Sequence, residues 1–218
     1  MATAGSDKKP TNYREDWRDV LSYVRMTNVK QPWAEAIFRF GKNYENRAAR
    51  CPDRGWMLII ASKGVGRRAE WEEAIASLRT KIEAHTSDPD KQPYRAEYLH
   101  RLDGMVLSDF PRGGIVGAVY VYDSLQPPHL YGWGREPGMA FSMGRKPTSD
   151  TCVGAPWRDL RRHSWRISRV IPFDDVIPLK GSQSTYRYFH THKDYDKVIE
   201  AVLDRLEQHD PERNGWSS

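Results

Sequence analysis

The sequence is poor in cysteine. Its two cysteines, Cys51 and Cys152, lie far apart and form no Cys-x-x-Cys pair. This usage excludes a disulfide framework, gives no thiolate zinc site and fits a reducing compartment. We predict no metal and no cofactor.

Long hydrophobic runs are also missing. The first nine residues hold no apolar signal-peptide core, and no apolar run approaches the length of a membrane span. We therefore expect an intracellular protein, cytoplasmic or nuclear, that is not secreted and has no membrane partner.

The regular alternation of strands and helices in a dinucleotide-binding fold is absent as well. Residues 64–69 (GVGRRA) formally fit the pattern G-x-G-x-x-A. However, residues 85–93 (HTSDPDKQP) stand where that fold needs a second apolar strand, so we reject it. Lys63, Arg67 and Arg68 remain candidates for binding an anion at a helix N-terminus, and a solvated turn explains them equally well.

The composition indicates a single folded domain. The chain has 218 residues, 39% of them hydrophobic and 29% charged, which suits one core. We predict a domain over residues 13–210 between flexible ends at 1–12 and 211–218. Residues 124–163 hold five prolines and five glycines, which predicts an irregular insertion.

The hydrophobic pattern predicts both helices and strands. Helical spacing predicts helices from Arg14 to Val24, after Pro32 up to Gly41, and over 71–82, 94–102 and 195–206. Apolar or alternating segments predict strands at 43–47, 56–61, 114–122, 164–172 and 185–189. We therefore expect an α+β fold, in which helices, including one at each end, decorate a small β-barrel.

Basic residues outnumber acidic ones, 34 to 29, and the pI is near 9.2, so the long-range field favours anions. Several cations lie near aromatic residues, namely Arg47, Arg50 and Arg54 before Trp56, and Arg158, Arg161, Arg162, His163, Arg166 and Arg169 around Trp157 and Trp165. This mixture is typical of nucleic-acid binding by stacking and phosphate neutralisation. Ordinary solvated strands and turns would produce it too.

Lys42, Glu45 and Arg47 form a candidate site. On an extended chain Glu45 and Arg47 point to one face, and Lys42 can reach the same cleft. A carboxylate can accept from a base amino group, and the cations can meet phosphate or a base carbonyl. An internal salt-bridge network that fixes a helix to the barrel would use the same three residues.

Five groups of residues follow one another over most of residues 27–189. They are Gln31-Pro32-Trp33-Ala34, then Lys42, Glu45 and Arg47, residues 54–62 (RGWMLIIAS), residues 111–117 (PRGGIVG) with Asp123, and residues 177–181 (IPLKG). Together these groups resemble the ASCH domain of the PUA-like superfamily. Phe40 replaces the family's usual glycine and Gly41 stands one place late. The usual closing tryptophan is Tyr186 or Tyr188.

The resemblance implies a PUA-like barrel with a cleft for RNA or a modified base. Some proteins of the family are hydrolases, among them a ribonuclease and an amidohydrolase that acts on a modified cytidine. The resemblance therefore also implies hydrolysis as an alternative activity. Lys42 matches the amidohydrolase lysine, but Glu45 stands at its threonine position. Lys42 and Glu45 are thus the catalytic candidates, with His163 as an alternative general acid. On a strand, His190 and His192 would share a face and could bind a metal, but no third ligand is evident.

We expect a domain that binds RNA, another nucleic acid or a nucleotide-like ligand. The predicted ligand-binding residues are Trp33, Lys42, Glu45, Arg47, Ser62, Lys63, Arg67, Arg68, Arg162 and Trp165. The alternatives are an RNA-directed hydrolase and a coregulator-type module that captures protein partners through the 124–163 insertion or an end helix.

Overall fold

The computed structural model describes residues 13–127, 155–179 and 188–209. The predicted flexible ends, residues 1–12 and 211–218, and most of the predicted insertion at 124–163 lie outside these ranges. Within them, no helix has both the length and the apolar character needed to cross a membrane.

The described residues form five α-helices and five strands. The helices are α1 (Tyr13–Tyr23), α2 (Trp33–Arg39), α3 (Arg68–His85), α4 (Pro93–Gly104) and α5 (Tyr195–His209). The strands are β1 (Arg25–Val29), β2 (Tyr44–Arg47), β3 (Gly55–Ala61), β4 (Gly114–Leu125) and β5 (His163–Pro178). The predicted α+β class, with a helix near each end, is confirmed.

The strands make one mixed sheet in the order β1-β3-β4-β5-β2. β1 runs parallel to β3, and every other neighbouring pair is antiparallel. The sheet curls into a half-barrel whose two edges are β1 and β2. This arrangement brings two strands that are distant in the sheet order to the open side of the half-barrel.

The sequence pattern does not predict β1. The strand reads RMTNV, and its Thr and Asn break the apolar run, while Val24 before it also fits the spacing of α1. Pairing with β3 nevertheless buries Met26 and Val29 in two different clusters on opposite faces of the sheet. Tertiary packing therefore creates this strand.

Two other predicted strands differ more strongly from the structure. β5 continues past the predicted end at Pro172 as far as Pro178, because irregularities in the β4–β5 register let the ladder resume at Ile177. Of the predicted strand at 185–189, residues 185–187 lie outside the described ranges. Tyr188 forms an isolated bridge with Arg25, and Phe189 begins a 3-10 turn.

The sheet is buried on both faces, as predicted for residues 56–61. Leu58 and Ile60 pack with α1 and α5 on one face, whereas Met57 and Ile59 pack with α2 on the other. Gly117 lets α2 approach closely, since a Cβ there would lie 2.6 Å from the ring of Phe38. A third cluster joins α2 to α3 and α4 and contains Trp157.

Candidate functional site

A cleft of about 1150 Å³ is lined by both edge strands of the half-barrel. Its walls come from β1 and the residues after it, from the α2–β2 connection and β2, from the end of β3, from α3, and from the segment before β5. The lining residues are Asn28, Val29, Lys30, Trp33, Lys42, Glu45, Asn46, Arg47, Ala48, Ala49, Ser62, Lys81, Trp157, Arg158, Asp159, Leu160, Arg161 and Arg162.

Six of the ten predicted ligand-binding residues line this cleft. They are Trp33, Lys42, Glu45, Arg47, Ser62 and Arg162. The fold therefore brings together residues from α2, β2, β3 and the segment before β5, although up to 129 positions separate them in the sequence.

The other four predicted residues are not among the cleft's lining residues. Lys63, Arg67 and Arg68 lie in or next to the turn that leads into α3, where Arg67 pairs with Glu70 and Arg68 with Glu72. Trp165 is only 1% exposed, and its Nε1 donates to the carbonyl of Ala49. Trp165 thus supports the cleft from inside the core.

The end of α2 delivers Lys42 to the cleft. Gly41 has a φ of +67°, and the N–H of Lys42 donates to the carbonyl of Ala36 at 3.0 Å. This hydrogen bond and the left-handed glycine turn the chain out of the helix and towards β2. At the other end of α2, the Gln31 side chain accepts from the N–H of Glu35 and donates to the carbonyl of Pro111, which secures the helix beside the sheet.

Lys42, Glu45 and Arg47 form a buried ion-pair network that also lines the cleft. Lys42 Nζ lies 2.5 Å from Glu45 Oε2, and Arg47 Nε lies 3.0 Å from Glu45 Oε1. Burial lowers the pKa of Lys42, although Glu45 opposes the shift, and nearby Arg47 and Lys81 lower the pKa further. Lys42 and Arg47 thus share the carboxylate of Glu45, in a buried position where removing charges from water costs free energy.

Arg47 also contacts groups outside this network. Its Nη2 donates to the carbonyl of Asn28 on β1 at 2.6 Å, and its guanidinium carbon lies 5.5 Å from the centre of the Trp165 ring. The side chain therefore links the two edge strands of the sheet.

Asn46 fixes the outer wall of the cleft to β2. Its Nδ2 donates to the carbonyl of Trp157 at 2.8 Å, while its Oδ1 accepts from the N–H of Asp159 at 2.9 Å and from Ser164 Oγ at 3.1 Å. Lys81 on α3 adds a hydrogen bond from Nζ to the carbonyl of Pro156 at 2.8 Å. Sequence reasoning did not single out Asn46 or Lys81, because their partners are more than 70 residues away.

The cleft has a strong excess of positive charge. Seven of its lining residues are cationic, and two are acidic. The cations are Lys30, Lys42, Arg47, Lys81, Arg158, Arg161 and Arg162, and the acids are Glu45 and Asp159. The whole chain carries a net charge of only +5, so this excess is concentrated in one place.

The rim of the cleft is exposed and the floor is buried. Arg161 and Arg162 both pair with Asp159 and remain 90% and 60% exposed. Burial alone would raise the pKa of Asp159, but hydrogen bonds from the N–H and the side chain of Arg161 lower it. Lys42 and Trp157, by contrast, are 4% and 1% exposed.

The histidines considered from the sequence do not line the cleft. His163 begins β5 opposite Arg47, and burial lowers its pKa. His190 stacks on Tyr188 with ring centres 5.6 Å apart, and Nδ1 of His192 accepts from the N–H of Asp194.

Comparison of the sequence with models of known protein families and with characterised proteins found no match.

Proposed function

We propose that this protein binds RNA, or a nucleotide-like ligand, in the cleft between its two edge strands. The observation that carries the proposal is the excess of seven cations over two carboxylates in one concave surface. Phosphate neutralisation supplies most of the affinity for nucleic acid, and a concave basic surface concentrates such a ligand.

The size and the aromatic lining of the cleft agree with such a ligand. Its volume of about 1150 Å³ exceeds the roughly 300–1000 Å³ of pockets for drug-sized molecules. Trp33 lines the cleft and is partly exposed, so its ring is available to stack on a base. An extended ligand with a phosphate backbone and at least one base fits these features.

The resemblance to the ASCH domain adds independent support. The elements that carry it include Trp33, Lys42, Glu45, Arg47 and Ser62, and all five line the cleft. In the resembling family these motifs belong to RNA-related proteins, which makes RNA the first nucleic acid to test.

One observation favours a hydrolase as a second candidate. Burial lowers the pKa of Lys42, so its amine is a better general base than an exposed lysine. Its contact with Glu45 acts in the opposite direction. Incubation with labelled RNA and with an acylated cytidine tests this: product formation that Lys42→Met abolishes supports a hydrolase, and intact substrates reject it.

Binding is tested by titration of labelled single-stranded RNA, duplex RNA and DNA at several salt concentrations. The double variant Arg161→Gln/Arg162→Gln should weaken RNA binding and lower the salt slope by about 1.4, because each single-strand phosphate contact contributes about 0.7. The matched control is Arg67→Gln/Arg68→Gln, which also removes two adjacent exposed arginines that pair with carboxylates.

The control should bind like the unmodified protein, because its arginines are not lining residues of the cleft. Two results would reject the proposal: no binding to any of the nucleic acids at low salt, or equal losses in the two double variants. The second result would indicate attraction to the net charge rather than to the cleft.

A further inference from the structure

Two buried side chains at the floor of the cleft have hydrogen-bond donors without an acceptor among the described residues. The ammonium of Lys42 has three donors, and within the described ranges its only hydrogen-bond partner is Glu45 Oε2. Trp157 is 1% exposed, and its Nε1 has no partner among the described residues. Buried donors without acceptors are costly, so the floor is suited to a ligand rich in acceptors.

Positive charge is also in excess at the floor. Lys42 and Arg47 share the carboxylate of Glu45, and the carboxylate nearest to Lys81 is that of Asp159, which partly offsets the lowering of the Lys81 pKa and also pairs with Arg161 and Arg162 at the rim. Burial lowers the pKa of Lys81, as it does that of Lys42, and the charge of Lys81 contributes to the shift at Lys42. Lys81 is half-buried, and its one hydrogen bond within the described ranges goes to the carbonyl of Pro156, which leaves two further donors.

We propose that this floor is a binding subsite for a phosphate monoester, the terminal phosphate of a nucleotide or of an RNA end. The partners are Lys42, Lys81 and the indole N–H of Trp157, while Arg161 and Arg162 bind the rest of the ligand at the rim. The inference deepens the proposed function and rests on it for the nucleotide part of the ligand.

The chemistry selects a monoester over the other groups of a nucleic acid. A phosphate monoester carries about −1.5 to −2 charges at pH 7 and three acceptor oxygens. An internal phosphodiester carries a single charge, and a base carbonyl is neutral. Two lysines and an unpaired indole N–H match the first group best, because both its charge and its acceptors are used.

Glu45 does not oppose this assignment. Its two carboxylate oxygens lie within 3.0 Å of Lys42 Nζ and Arg47 Nε. The carboxylate is therefore neutralised from both sides, and it orients the ammonium of Lys42 without presenting an unpaired negative charge to the ligand.

Calorimetric titration of the full chain with a nucleoside, its 5′-monophosphate and inorganic phosphate tests the subsite. We expect the monophosphate to bind about tenfold more tightly than the nucleoside, the ratio for one additional charge-assisted contact of about 1.4 kcal/mol. Inorganic phosphate should compete. Lys42→Met and Lys81→Met should each bring the ratio towards one, whereas Lys197→Met, at a 77% exposed position on α5, should leave it unchanged.

RNA oligonucleotides distinguish the two sources of the phosphate. Single strands that carry a 5′-phosphate, a 3′-phosphate or only hydroxyl ends are compared at equal length. Tighter binding of one phosphorylated end identifies RNA ends as ligands. Tight binding of the mononucleotide with no preference among the RNAs identifies the free nucleotide.

The indole N–H gives a readout that does not depend on a stable Lys42 variant. Phosphate should shift one indole N–H resonance of the unmodified protein, and that resonance should be missing in Trp157→Phe. An unmoved Trp157 resonance together with equal binding of nucleoside and monophosphate would overturn the subsite, and RNA binding would still stand. Binding of inorganic phosphate without nucleotide or RNA would retain the subsite and reject the proposed function.

Discussion

Arg47 on β2 donates a hydrogen bond to the main-chain carbonyl of Asn28 on β1, with Nη2 2.6 Å from the oxygen. These strands are the two edges of the sheet, so a side chain links the open sides of the half-barrel. The same guanidinium lies beside Glu45 and faces the ring of Trp165. Arg47 therefore helps to fix the shape of the cleft.

Replacement of this arginine should destabilise the fold. Arg47→Ala removes the link between the edge strands and leaves Glu45 with Lys42 alone, so we expect the free energy of unfolding to fall by about 2–3 kcal/mol. Arg47→Lys keeps the charge but not the geometry of the guanidinium, and its loss should be smaller. Urea unfolding measures both.

Arg68→Ala serves as the control, because the Arg68 side chain is 92% exposed and pairs with Glu72 one helical turn away. It should not change stability measurably. If Arg47→Ala unfolds at the same urea concentration as the unmodified protein, the link between Arg47 and Asn28 does not stabilise the half-barrel.

Asn46 should be needed to hold the outer wall of the cleft. Asn46→Ala removes two hydrogen bonds to the segment before β5 and one from Ser164 in β5, which should cost about 2–3 kcal/mol at about 1 kcal/mol each. The N–H of Asp159 loses its acceptor, so its amide hydrogen should exchange faster. Hydrogen exchange followed at that amide measures the effect.

Asn46→Asp separates the two roles of this side chain. It keeps an oxygen to accept from Asp159 and Ser164 but loses the donor to the carbonyl of Trp157, and its effect should be intermediate. Unchanged exchange at Asp159 in Asn46→Ala would show that the wall is held by other contacts.

The elements that the sequence predicts well are those whose signal is local. α3 and α5 carry repeated apolar positions at helical spacing, and β3 is an uninterrupted apolar run, so pattern alone locates them. β1 has no such signal, since it depends on the ladder with β3. β5 passes through Pro172 because register irregularities opposite β4 accommodate it.

The contacts of the site likewise divide into those between residues close in sequence and those that only the fold creates. Lys42, Glu45 and Arg47 lie within six residues of one another, so their proximity could be predicted. The contacts of Asn46 with Trp157, and of Lys81 with Pro156, join residues 111 and 75 positions apart, and only the fold reveals them. Lys63 follows the lining residue Ser62 directly but is not itself a lining residue, which shows that closeness in sequence does not place a side chain in a cleft.

Gly41 should be required for the helix ending that positions Lys42. An alanine there has to adopt a φ of +67°, and its Cβ would lie 2.9 Å from Nε2 of His85. Gly41→Ala should therefore lower the free energy of unfolding by about 1–2 kcal/mol and weaken ligand binding as Lys42 shifts. Thermal unfolding and the phosphate titration measure the two effects.

Gly104→Ala is the matched control, because a Cβ at that position in α4 meets nothing within 4 Å. Its stability should be unchanged or slightly increased, as expected for alanine in a helix. A Gly41→Ala variant as stable as Gly104→Ala would show that the left-handed turn is not needed.

His85 should make the fold sensitive to mild acid. It is buried beside Trp157, with ring centres 5.7 Å apart. Its pKa is lowered from 6.5 to about 4, mainly by burial and also by nearby Lys91, while Asp88 partly offsets the shift. Below pH 6.5 the His85 imidazole binds a proton in the unfolded chain but not in the folded protein. The free energy of unfolding should therefore fall as the pH drops from 6.5 through 4. At pH 4.5 the loss should be about 2.5 kcal/mol, since one pKa unit corresponds to about 1.4 kcal/mol.

Urea unfolding at pH 7.5 and pH 4.5 measures this loss, and His85→Gln should remove most of it because glutamine does not titrate. His100 on α4 is exposed, and His100→Gln should keep the acid sensitivity of the unmodified protein. If His85→Gln loses as much stability between the two pH values as His100→Gln does, another group is responsible. The acid sensitivity would then come from His163, whose pKa burial also lowers, or from carboxylates, whose ion pairs are lost on protonation.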